Sequence, residues 1–157
     1  MIDSVVSAVA LLGAVGCGLM AGLFFAFSTA VMPGLRRLPP ADGAAAMQQI
    51  NRAILNPLFG LVFGGTALLC LVLAVGAPFS GREGTAWIVA GALLYLVGST
   101  AATMAVNVPM NNRLDAAEPA AAAALWPGYL IRWTAWNHLR AAACTGATAA
   151  LTIGSWS

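Results

Sequence analysis

Lysine is absent from this chain, histidine occurs once, and charged side chains make up 8% of its 157 residues. Each scarcity removes a class of function. The net charge of +2 comes from arginines scattered along the chain, so no basic patch exists to hold nucleic acid. One imidazole cannot build a zinc site without further ligands, and no carboxylate lies near it in sequence. No Glu-x-x-His pair occurs and every acidic residue falls outside the predicted spans, which excludes a di-iron carboxylate centre. Ser-His-Asp chemistry lacks a buried acid to orient the imidazole. The three cysteines, Cys17, Cys70 and Cys144, fall in three different predicted helices and read as free buried thiols.

What the chain has in abundance is apolar sequence, at 61%. A membrane span needs about 20 mostly apolar residues to cross about 30 Å of hydrocarbon, and four such runs use almost the whole length. The expected fold is all-α, a single-domain transmembrane four-helix bundle with spans near 5–32, 57–77, 85–106 and 129–153. The first run follows only Asp3 and no basic residue, so it reads as a span rather than a cleaved signal. It carries small residues at every fourth position (Ala10, Ala14, Gly18, Gly22, Ala26, Ala30), a face expected to pack on a neighbouring helix. Pro33-Gly34 is expected to end it.

After Pro39-Pro40, residues 41–55 form a short amphipathic helix with Met47, Ile50 and Ile54 on one side, expected to lie at the membrane interface with Asn51 or Arg52 able to turn inward. Asn56-Pro57 has the form of a helix start, with Gly60 and Gly64 continuing the Asn56 line as a second small-residue face. In span three, Tyr95, Ser99, Thr103 and Asn107 recur at four-residue intervals and should face inward. Residues 114–127 read as a connection, alanine-rich at its end. The connections between spans one and two and between three and four hold most of the arginines, which puts both termini outside the cytoplasm.

This topology brings four unusual segments to one side of the membrane: Phe24–Ser28, Asn51–Asn56, Asn107–Arg113 and Trp133–Arg140. The last is the chain's most unusual stretch, with two tryptophans, an asparagine, the histidine and an arginine entering a membrane helix. A charged group near the bilayer centre costs about 2.5–3.5 kcal/mol on insertion scales, so such residues mark function. His138 beside amides, aromatics and a cation suits abstraction of a proton from an acidic carbon or phenol.

Four blocks, GLFFAFSTAVMPGLRR, MQQINRAILNPLF, NVPMNNRLD and WTAWNHLR, in this order and spacing over Gly18–Thr145, resemble the anthrone oxygenase-like family of small integral membrane proteins, which has many bacterial members. The resemblance implies a four-helix bundle in a bacterial plasma membrane and oxidation of an anthrone to an anthraquinone by O2, without metal or flavin. It points to Asn107, Asn111, Arg113, Trp133, Asn137, His138 and Arg140. In that reading His138 is the base, and Arg140 or Arg113 with Asn137 and Asn107 stabilises the enolate. Phe24, Ser28, Asn51, Asn56, Asn111, Trp133 and Trp136 surround a small apolar aromatic substrate that enters from the bilayer. Two other readings remain open at this stage. One is a non-catalytic haem- or quinone-binding protein with His138 as an axial ligand. The other is an assembly subunit whose small-residue faces serve homo-oligomerisation.

Overall fold

A computed structural model describes residues 2–157, with side chains from Ser4 on, so the Asp3 side chain lies outside it. It is all-α, with five helices. Helix α1 is Ile2–Ala26, continued by a π-helical stretch Phe27–Val31 and a last turn Met32–Leu35. Helix α2 is Pro40–Ile54 and α3 is Pro57–Gly76, followed by a 3₁₀ turn Ala77–Phe79. Helix α4 runs over Thr85–Asp115 with π-helical stretches Leu94–Ala101 and Thr103–Asn107 inside it. Helix α5 is Pro119–Trp156, 38 residues long.

Three of these, α1, α3 and α4, are long and apolar enough to cross a membrane. The expected fourth span lies within α5, which falls short of that composition because Arg132, Asn137, His138 and Arg140 interrupt it. Helix α5 is the centre of the bundle: it packs along α1 and also against α4 and α2. Protein covers Asn137 and Arg140 while His138 stays exposed, so hydropathy alone understates how α5 is solvated. The helical piece that the five alanines at 120–124 favour is continuous with α5, so the connection before α5 is short. Residues 119–127 are already helical, and Trp126 and Tyr129 join Met32, Met47 and Leu114 in a second apolar cluster.

Pro33, expected to end its helix, and Pro109, just beyond the expected end of span three, lie inside helices. Each follows a π-helical stretch, Phe27–Val31 or Thr103–Asn107. A proline removes one amide donor and crowds the carbonyl four residues back, and a widened turn accommodates both defects. The π stretches have a second effect on α4. A four-residue repeat overshoots an α-helical turn by about 40° per step, so the polar line should spiral off the inner face. The wider turns cancel that drift, and Tyr95, Ser99, Thr103 and Asn107 are all buried.

Helix α1 shows the uncorrected case. Ala10 and Ala14 are buried, but the same stripe reaches the surface by Gly22 and stays there at Ala26 and Ala30. The packed face is instead Ala10, Ala14, Cys17, Met20 and Phe24, at three- and four-residue spacing. Gly60 and Gly64 likewise face outward, with nothing within 4 Å of an added Cβ. A close backbone approach does occur between α4 and α5: a Cβ on Gly91 would lie 3.0 Å from the Leu151 backbone nitrogen and 3.1 Å from the Ala147 carbonyl oxygen. Gly91→Val therefore separates α4 from α5 and is expected to cost about 1–3 kcal/mol, measured by thermal denaturation in detergent. The cysteines are free and buried, as expected, and all three belong to one cluster, contributed by α1, α3 and α5.

Helix α2 packs one face on the bundle. Gly43, Ala44, Met47 and Asn51 form its buried face, and Gly43 leaves no room for a side chain because a Cβ there would be 2.8 Å from the Trp126 ring. Asn51 turns inward, whereas Arg52 turns out to pair with Asp115 at 2.7 Å.

Candidate functional site

The ends of α1, α2 and α4, the start of α3 and the first half of α5 enclose a chamber of about 80 Å³. Its walls include Phe24, Phe27, Asn51, Phe59, Thr103, Asn107, Asn111, Trp133 and Arg140. Arg140 is 4% exposed. Its NH1 donates to Thr103 Oγ1 at 3.2 Å and its NH2 to Asn137 Oδ1 at 2.9 Å, and its Nε has no partner. The guanidinium carbon sits 4.2 Å from the Phe24 ring centroid and 5.2 Å from that of Trp133. Among the described residues no carboxylate pairs with it, whereas Arg52 pairs with Asp115 at the surface. A buried cation held by aromatic faces and neutral oxygens keeps most of its field for whatever enters beside it.

Asn107 is 1% exposed, and neither its Oδ1 nor its Nδ2 has a hydrogen-bond partner. Buried amides left this way cost about 1–3 kcal/mol per group, so one aimed into a cavity with both ends free marks a ligand position. Asn111 on the same wall is already engaged: its Oδ1 accepts from Tyr129 Oη at 2.8 Å and Trp133 Nε1 at 2.9 Å. Asn51 Nδ2 reaches the Tyr129 oxygen at 3.5 Å.

A chain of hydrogen bonds leads outward from the chamber. Arginine only donates, so the Asn137 atom facing Arg140 is the oxygen, and this sets the amide's orientation. Asn137 Nδ2 then donates to the Phe24 carbonyl at 2.7 Å and to Ser28 Oγ at 2.8 Å. Ser28 Oγ lies 2.9 Å from His138 Nδ1. His138 is exposed and lines a different space, an outer groove of about 330 Å³ with Ser28, Met32, Arg36 and Thr134.

Several residues expected to meet in one pocket are thus divided. The chamber gathers Phe24, Asn51, Asn107, Asn111, Trp133 and Arg140, with Asn137 behind the arginine. His138 and Ser28 belong to the outer groove, because His138 stands about 100° round α5 from Asn137. Arg113 is exposed on another face, in a groove of about 280 Å³ with Arg132 and Tyr129. Asn56 is exposed and spends its side chain on capping α3, accepting from Phe59 N at 3.0 Å. Trp136 is half-buried beside neither space. A haem held by His138 within the aromatic cluster finds no support, since imidazole and cluster face different ways.

Two partners of chamber residues escaped notice in the sequence, Thr103 as a partner of Arg140 and Tyr129 as a partner of Asn111. The signal for the second was present. Trp126, Tyr129, Trp133, Asn137 and Arg140 follow one another at three- and four-residue steps, a single face of α5, and all five are buried.

The sequence model of the anthrone oxygenase family matches residues 55–150, more than half of the chain. The chain belongs to the anthrone oxygenase family. The matched part holds the NPLF, NVPMNNRLD and WTAWNHLR blocks, and with them Asn107, Asn111, Trp133, Asn137 and Arg140; the α1 and α2 walls of the chamber lie before it. Comparison with curated proteins and with solved structures gives no match. The family name describes oxygenation of an anthrone, which implies an aromatic substrate and O2.

Proposed function

We propose that the chain is a single-domain membrane oxygenase of the anthrone oxygenase type, with four spans and both termini outside the cytoplasm, that oxidises a planar phenolic ring compound with O2 and without a metal. The observation that carries this reading is the uncompensated guanidinium of Arg140 beside the unpartnered amide of Asn107. Together they form a site for an oxygen that becomes negative during reaction. Loss of a methylene proton turns the anthrone carbonyl oxygen into an enolate oxygen, and that charge is what the pair stabilises. The carbanion then reduces O2, and the net change of CH2 plus O2 to C=O plus H2O needs no outside electrons.

A chamber of about 80 Å³ is well below the range of about 300–1,000 Å³ of ordinary ligand pockets, so the oxygen-bearing edge of a tricycle enters it first. The remaining rings lie towards Ile54, Leu55 and Phe59, where the end of α2 must shift to admit them. The bilayer supplies such apolar compounds sideways.

Among the described residues none that lines the chamber is a carboxylate or an imidazole. The proton therefore goes to water, and catalysis rests on holding the enolate rather than on a protein base. His138→Ala is expected to keep turnover within about tenfold of the parent, where loss of a general base costs about 10²–10⁴-fold. Two anthrones of different acidity should give pH–rate profiles displaced by the difference in their own ionisation. A larger loss in H138A, with one inflection common to both substrates, would restore His138 as the base.

A further inference from the structure

Arg113 and Arg132 take no part in the chamber, yet they line one groove of about 280 Å³ between the end of α4 and the first half of α5. Met110, Leu114 and Leu125 give it an apolar lining, and the hydroxyl of Tyr129, which also lines it, is spent on Asn111. No acidic side chain lines the groove. Among the described residues no carboxylate pairs with either guanidinium, and Asp115, two residues from Arg113, is taken by Arg52. Two cations facing one space repel each other, so an anion between them relieves that repulsion as well as making its own contacts.

Gly128 is a second, independent sign. It lies inside α5, where glycine weakens a helix relative to alanine, and a Cβ built on it meets nothing within 4 Å. Neither helix propensity nor packing asks for a glycine there. What the missing side chain leaves open is the groove.

The lining narrows the choice of occupant. Guanidinium groups pair with phosphate oxygens through two parallel N–H···O bonds, which calls for a phosphate-type anion. The apolar side chains suit one that carries hydrocarbon. With no acidic group present, the ammonium of a zwitterionic headgroup would find no partner. In the four-span reading the groove lies on the side shared by the arginine-bearing connections, the cytoplasmic surface, where basic pockets between membrane helices meet anionic headgroups.

We infer that this groove is a binding site for one anionic phospholipid, its phosphate held between Arg113 and Arg132 over Gly128 and the first carbons of its chains against Met110 and Leu125. The inference rests on the four-span reading and on none of the groups of the enolate chamber.

Native mass spectrometry tests it on the full chain in a neutral detergent, supplied with equal amounts of phosphatidylglycerol and phosphatidylcholine bearing the same acyl chains. One phosphatidylglycerol should be retained with about tenfold preference. Arg113→Gln combined with Arg132→Gln should abolish the preference, and the corresponding pair of lysine substitutions should keep most of it. Gly128→Leu should abolish it with every charge in place. Arg36→Gln with Arg37→Gln removes the same charge from the same side and should leave it unchanged. All five substituted positions are exposed, and thermal denaturation checks that each variant is folded. Glycerol 1-phosphate, the same anion without acyl chains, should not compete. Equal retention of the two lipids, equal loss in the Arg36 and Arg37 variant, full retention in Gly128→Leu, or displacement by glycerol 1-phosphate would each overturn the assignment. Arg140→Met should retain phosphatidylglycerol fully, so its turnover tests the chamber alone.

Discussion

Arg140→Met is expected to lower anthrone oxidation by about 10²–10³-fold, the range seen when one preorganised group at a developing oxyanion is removed. Methionine keeps much of the volume between Phe24 and Trp133 but none of the charge. Stability should change little in comparison. Burying an ion costs several kcal/mol before compensation, and removing it relieves that cost. The loss of donors to Asn137 and Thr103 opposes the gain, at about 1–3 kcal/mol for each acceptor left bare. Arg140→Lys should recover part of the turnover through charge, without the planar fork that spans Asn137 and Thr103. Oxygen uptake with an anthrone, beside thermal denaturation of each variant, decides the matter. A variant that stays folded and turns over normally would show that the guanidinium only supports the bundle.

Asn107→Leu should move the two readouts in opposite directions. The amide's oxygen and nitrogen are both buried and unpartnered, so an apolar side chain of similar size removes a penalty of about 1–3 kcal/mol and raises the melting temperature. Turnover should fall by about 10²-fold, because the second donor to the enolate is gone. Such a trade of stability against activity is the signature of a residue kept for a ligand. If Asn107→Leu instead destabilised the protein, its amide would be bonded within the chain and the chamber would not be a ligand site.

The chemistry-bearing residues were readable because their side chains are out of place in apolar sequence. Asn107 and Arg140 have no reason to sit among alanines and valines unless a cavity receives them. The inward line from Tyr95 to Asn107 was likewise evident from spacing. Its persistence over four residues at that interval was not, since an ordinary α-helix would have carried it off the face, and only the π stretches hold it straight. The reverse happened in α1, where an equally regular stripe of small residues turned outward after Gly18 and the contact passed to Cys17, Met20 and Phe24. Periodicity shows which residues can share a face, while the winding of the backbone decides whether they do.

His138 shows the same limit most plainly. Adjacent residues on a helix diverge by about 100°, so Asn137 and His138 could not both face the chamber, and nothing in the sequence says which one would. Composition and order by themselves determined an all-α chain, four apolar runs of which three form helices long and apolar enough to cross a membrane, and which polar residues must be accounted for. The packing of α5 against α1, α2 and α4 decided the rest: it turned Arg140 towards Phe24 and Trp133, left Asn107 unpaired beside it, and sent His138, Arg113 and Trp136 elsewhere. The reason is physical, because a side chain's partners are set by the neighbour that covers its face, and that neighbour comes from a distant part of the chain.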